Sequence, residues 1–136
     1  MTPRPENDWT RFSQRISAAA EAFASGDPAP YQELWAKDDD VCLMGAFGGT
    51  LVGWSAVQER MNAVSAMVSA GPAVLHQDVV AEFGSAGVMC SVRLERFQPR
   101  DGGPESTRRL TLTARHDGTG WHIVHQHSDS LTVGSA

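Results

Sequence analysis

Asp117-Gly-Thr-Gly-Trp-His-Ile-Val-His-Gln-His-Ser128 is the stretch that decides the fold. Its first four residues have the composition of a tight turn. From Trp121 onward, apolar and polar residues alternate with the period of a strand. Going forward, the alternation predicts a strand over 121–132. Going back, it predicts strands over 108–116, 87–98 and 74–83. The segments between them, among them Gly84-Ser-Ala-Gly87 and Asp101-Gly-Gly103, are short and glycine-rich, which suits antiparallel hairpins.

Upstream of residue 73 the period changes. Trp9, Phe12, Ile16, Ala19 and Phe23 recur every three or four residues and predict a helix over 8–25, capped by Asn7 or Asp8 and stopped by Gly26. Asp27-Pro28 then starts a short helix through Tyr31, Leu34 and Trp35, which the run Asp38-Asp39-Asp40 ends. Val41–Met44 is a short apolar strand, and Gly45, Gly48 and Gly49 around Phe47 predict a turn. Trp54, Val57, Met61 and Val64 mark a third helix over 55–68, with Ser55-x-x-Gln58 as a capping box and Gly71-Pro72 as its stop. Helices first and strands after is the α+β order. It predicts one domain over 8–132, with loose ends at 1–7 and 133–136.

Composition narrows the function classes. Of 136 residues, 41% are hydrophobic, enough for a sizeable core, and the net charge is −5. No basic stripe is present to neutralise phosphates, so nucleic acid is not an expected partner. No apolar run is long enough to span a membrane, and Met1–Glu6 lacks a signal-peptide core, so a cytoplasmic protein is expected. Cys42 and Cys90 lie in apolar strand-like runs and read as buried free thiols. No Cys-x-x-Cys, phosphate loop or dinucleotide fingerprint occurs, and neither a metal nor a cofactor is expected.

Three stretches, in this order and spacing, resemble one superfamily. They are Phe23-Ala-Ser-Gly-Asp27 with Leu34-Trp-Ala-Lys-Asp-Asp-Asp-Val41, Gly48-Gly49 to Gly53-Trp-Ser-Ala-Val57, and the Asp117–Ser128 segment. Together they resemble the nuclear transport factor two-like superfamily, in particular its SnoaL-like and ketosteroid-isomerase-like branches. The last stretch is also similar to the calcium/calmodulin-dependent kinase association domain of the same superfamily. The resemblance implies three N-terminal helices on a curved, mainly antiparallel, cystatin-like sheet. It also implies a cone-shaped pocket for a small-molecule ligand and a homodimer through the convex face. It does not fix a reaction, because this fold hosts many. Aligned on Gly26-Asp27 and Leu34-Trp35, the ketosteroid isomerase base position falls on Leu43 and its first-helix tyrosine on Ala19, and neither can move a proton.

The remaining candidates follow from residue type and spacing. Arg93-Leu94-Glu95 resembles the Arg-x-Asp of limonene-epoxide-hydrolase-like members, and on a strand both charges share a face. His125-x-His127 also shares a face, expected to be that of Trp121 and Ile123. His127 is the candidate acid–base group, Arg93 the anion stabiliser and Glu95 the group that orients or activates water. Tyr31, Trp35, Phe47, Met61 and His125 are candidate substrate-binding residues. The chemistry implied is cofactor-free proton transfer: isomerisation, cyclisation, dehydration or epoxide hydrolysis. The plainer alternatives are an exposed ladder of Arg93 and Glu95 with Thr111, Thr113 and Arg115, and a histidine pair at a dimer interface. The rival class is a non-catalytic ligand-binding or oligomerisation module.

Overall fold

The computed structural model of the chain describes the backbone of residues 5–46 and 48–130, with side chains from Asp8 onward. The elements are α1 (Pro5–Ala24), α2 (Ala29–Glu33), β1 (Cys42–Gly45), β2 (Gly48–Val52), α3 (Trp54–Ala70), β3 (Ala73–Ser85), β4 (Val88–Pro99), β5 (Ser106–His116) and β6 (Trp121–Ser130). One six-stranded sheet has the order β2-β1-β6-β5-β4-β3. All its pairs are antiparallel except β1 with β6. The helices pack on its concave side, which is the α+β architecture that the two sequence periods predict.

The stripe on α1 buries Trp9, Phe12, Ile16, Ala19, Ala20 and Ala24. Together with Leu110, Leu112, Ala114 and Ile123 of the sheet they form the core. Each fully buried Leu, Ile or Phe side chain contributes about 1.5–3 kcal/mol. Trp9 meets Trp121 edge to face, with ring centroids 5.2 Å apart, and so pins the start of α1 to β6. At its other end, Gly26 takes φ +103°, and a Cβ there would come within 2.6 Å of Ser69 Oγ. Ser65 Oγ and Ser69 Oγ both donate to the Gly26 carbonyl, so α1 and α3 approach closely through a residue that must be glycine.

Four sequence expectations need correction. The first helix begins at Pro5 rather than at residue 8, so residues 5–7 are helical. The second helix stops before Leu34, and Trp35 instead bridges to Ile123 of β6. Gly53 caps α3 with no side-chain hydrogen bond, so Ser55 and Gln58 form no capping box. The glycine-rich stretch from Gly48 is a strand, paired with β1 (Leu43 opposite Leu51). Of the loose ends expected at 1–7 and 133–136, residues 1–4 and 133–136 lie outside the described residues.

Two irregularities set which side chains face inward. The β3–β4 register shifts between Val79 and Ala81. Gln77 and Glu82 are an odd number of residues apart and would point to opposite faces of a regular strand. The extra residue brings both to the concave side. The β5–β6 register shifts likewise: Ala114 pairs with Ile123, but Thr113 pairs with His125. Val124 is the extra residue there. Trp121 and Ile123 therefore face the core, as do Gln126 and Ser128 beyond the shift.

Candidate functional site

On the concave face of β4, Ser91, Arg93, Glu95 and Phe97 stand in sequence, and the first two close one end of the wall. Arg93 is completely buried. Its Nε donates to Ser91 Oγ (2.9 Å), one terminal nitrogen to Ser17 Oγ (2.9 Å) and Gln77 Oε1 (2.5 Å), and the other to Ser13 Oγ (2.5 Å) and Glu82 Oε2 (3.3 Å). Ser13 and Ser91 pass their own protons on to Glu82 Oε2. All five guanidinium N–H groups are thus taken, and no donor is left for a ligand. Burial pulls the Arg93 pKa down, and the Glu82 charge opposes this. Arg93 is therefore the clamp between α1, β3 and β4. Neither the expected anion stabiliser nor the exposed ladder describes it.

Two residues on, the wall opens. A cavity of about 260 Å³ lies between the sheet, α1, α2 and α3. Its apolar lining includes Phe23, Leu43, Met61, Val64 and Phe97, and its polar lining includes Glu95, Arg108, Tyr31, Gln126 and Arg60. Drug-sized ligands occupy about 300–1,000 Å³, so this volume suits a smaller molecule. Glu95 is half-buried, and its Oε2 accepts from Gln77 Nε2 at 3.0 Å. Burial pushes its carboxyl pKa up, against the Gln77 hydrogen bond and the charges of Arg108 and Arg93. Burial conversely lowers the pKa of Arg108, which lies over the Phe97 ring at 4.3 Å. The Tyr31 hydroxyl donates to Gln126 Oε1. Burial, with the Glu95 charge adding to it, holds that hydroxyl protonated well past the ordinary phenol range.

The structure does not assemble an Arg93–His127 centre. His127 pairs with Thr111 and stands exposed on the convex face, beside Val92, Leu94 and Arg109 in a surface recess. His125 is on the same face, with Nδ1 2.9 Å from Cys42 Sγ, so it does not line the cavity and Cys42 is half-buried with an imidazole partner. The extra residue at Val124 is the reason for both. Of the other predicted binding residues, Tyr31 and Met61 border the cavity. Trp35 is fully buried in the core beside Trp54, and Phe47 lies outside the described residues. Among the described residues, no group of three His, Cys, Asp or Glu is placed to hold a metal. Arg108 could have been found from sequence, since it is in phase with Leu110, Leu112 and Ala114. Gln126 could not, because its face depends on the bulge.

Helices closing the concave side of one curved sheet over a small, mostly apolar cavity define the class: a cystatin-like, nuclear transport factor two-like pocket fold. The chain belongs to the SnoaL-like domain family, whose model matches residues 13–133. No curated protein matches it. Among solved structures it is similar to a calcium/calmodulin-dependent protein kinase type II association-domain-like protein from Thiobacillus denitrificans. That match has 24% identity and a TM-score of 0.78, covering 97% of this chain and 98% of the other. A cystatin-like domain from Nostoc punctiforme matches at 14% identity and TM-score 0.74, covering 98% and 82%. A ketosteroid isomerase-like protein from Erwinia carotovora atroseptica matches at 16% identity and TM-score 0.69, covering 89% and 94%. At these identities the likeness is one of fold.

Proposed function

We propose that the chain is an acid–base enzyme acting on a small, mainly apolar organic molecule held in the cavity, with Glu95 as the proton-transferring group. The observation that carries this reading is that Glu95 is the one carboxyl bordering the cavity among the described residues, and burial raises its pKa above the ordinary carboxyl value. As a carboxylate it takes a proton from a carbon next to a carbonyl. The C–H electron pair moves toward the carbonyl oxygen, where the positive charge of Arg108 favours it. The resulting carboxylic acid returns the proton at another carbon, which gives an isomerisation. The same group protonates a leaving oxygen in a dehydration or an epoxide opening. Phe23, Leu43, Met61 and Val64 hold the apolar body, and Tyr31 with Gln126 orients an oxygen.

The test uses 5-nitrobenzisoxazole, an apolar probe that opens to a nitrophenolate when a base removes its ring proton. The unmodified protein should open it at least about a hundredfold faster than Glu95→Gln, the low end for a positioned base. Equal rates would contradict the assignment.

A second, compatible reading concerns assembly. The convex side exposes Val74, Val80, Phe83 and Val88, an unusual set for a surface that meets only water. We propose that this face forms a homodimer, as the resemblance implies. Sedimentation should show a dimer that Val80→Asp with Phe83→Asp converts to monomer. An unmodified protein that stays monomeric at high concentration contradicts this reading.

A further inference from the structure

Between the saturated Arg93 and the cavity-facing Glu95 sits one neutral side chain, Gln77. Its Oε1 accepts from Arg93 at 2.5 Å and from Ser17 Oγ at 3.0 Å, and its Nε2 donates to Glu95 Oε2 at 3.0 Å. An amide can present either end to a neighbour. Here one end is dictated, because a guanidinium carries only donors and the atom it meets must be the carbonyl oxygen. Ser17 acts in the same sense: its oxygen accepts from Arg93 and its hydroxyl donates to the same Gln77 oxygen. Arg93 itself is fixed by three serines and Glu82 drawn from α1, β3 and β4. The directionality therefore runs one way, from the clamp to the amide to the carboxyl.

We propose that Gln77 is the positioning residue of the pocket's acid–base group: locked by Arg93 and Ser17, it offers Glu95 only an N–H, which holds Oε2 as an acceptor and leaves Oε1 to carry the transferable proton. This rests on the reading of Glu95 as the proton-transferring group. A carboxylic acid accepts best through its carbonyl oxygen, so an N–H on Oε2 selects the tautomer with the proton on Oε1. The same N–H favours the ionised form and so counters burial. The other charged or titratable groups around Glu95 are Arg93 on its own strand, Arg108 from β5, Tyr31 from α2 and Arg60 from the α3 wall. Gln77 donates a hydrogen bond to the carboxyl, and its own orientation is set from outside the pocket.

The experiment is an NMR titration of the whole protein. The side-chain carboxyl carbon of Glu95, assigned by its loss in Glu95→Gln, and the Nε2 of Gln77 should titrate with one shared midpoint. In Gln77→Glu an acceptor replaces the N–H while Arg93 keeps a partner, so the two carboxyls retain a proton to higher pH. The Glu95 midpoint should rise by about one unit or more, a tenfold change in proton affinity. Gln77→Met, which lacks the donor without adding charge, should move it the same way. The rising limb of probe turnover should follow the midpoint, a response that a merely structural residue would not give. A Gln77 Nε2 signal that stays flat through the Glu95 titration overturns the proposal in the unmodified protein, whether or not the variants fold. A folded Gln77→Glu with the original midpoint overturns it too. A Glu95→Gln protein that keeps the probe rate contradicts the catalytic reading, yet leaves the shared midpoint as a separate result.

Discussion

Arg93 and Glu95 are two residues apart on one face of β4, and their surroundings differ in kind. Around Arg93 every donor meets an acceptor, and the residues that supply them come from α1, β3 and β4. Around Glu95 one oxygen is held by Gln77 and the carboxyl borders a cavity. From sequence, the two charges look like one functional pair. In the fold, the arginine closes the structure and the glutamate faces the space that a ligand would fill. Charge in a cleft signals function only when its hydrogen-bonding capacity is unspent.

The comparison predicts different failures at the two ends. Arg93→Met should cost about 3–5 kcal/mol of stability in a denaturant melt, because Glu82, Ser13, Ser17, Ser91 and Gln77 lose their common donor. A loss below about 1 kcal/mol would mean that the clamp is dispensable. Filling the open end should cost less stability but remove function. Val64→Trp should destabilise by about 1–3 kcal/mol through overpacking and abolish probe turnover. Turnover that survived it would place the reaction elsewhere.

Glu95→Gln should leave the fold intact and change its pH response. A carboxyl whose pKa is raised in the folded state holds a proton that the unfolded chain releases. Its stabilising effect is present below the unfolded pKa and is lost as pH rises through the folded one. Melts of the unmodified protein should therefore lose stability over that window, and melts of Glu95→Gln should lose less. Identical slopes would mean that burial does not perturb this group. The smallest effect should come from the convex face: His127→Ala should shift stability by no more than about 0.5 kcal/mol and leave probe turnover unchanged. A large fall in turnover would return the catalytic role to that histidine.

Much of the fold was readable because its strands alternate and its helices carry stripes. The strand β2 was not, since Gly48-Gly49-Thr50 offers no alternation and glycine reads as a turn. The site was readable only in part. Tyr31, Met61, Glu95 and the face shared by Arg93 and Glu95 follow from spacing. The face of His125 and His127 does not, because one extra residue at Val124 inverts the pattern set by Trp121 and Ile123. The bulge near Val80 likewise hides the meeting of Gln77 and Glu82. In both places a local irregularity, costing one residue of register, decides which side chains reach the interior.

The most direct measurement is the pH–rate profile of 5-nitrobenzisoxazole opening by the unmodified protein and by Glu95→Gln. The unmodified protein should show a limb that rises with pH through a midpoint above the ordinary glutamate range and then levels, as the Glu95 carboxyl ionises. Glu95→Gln should lack that limb. A limb that persists in Glu95→Gln, or a midpoint in the ordinary range, would contradict the assignment of Glu95 as the pocket's acid–base group.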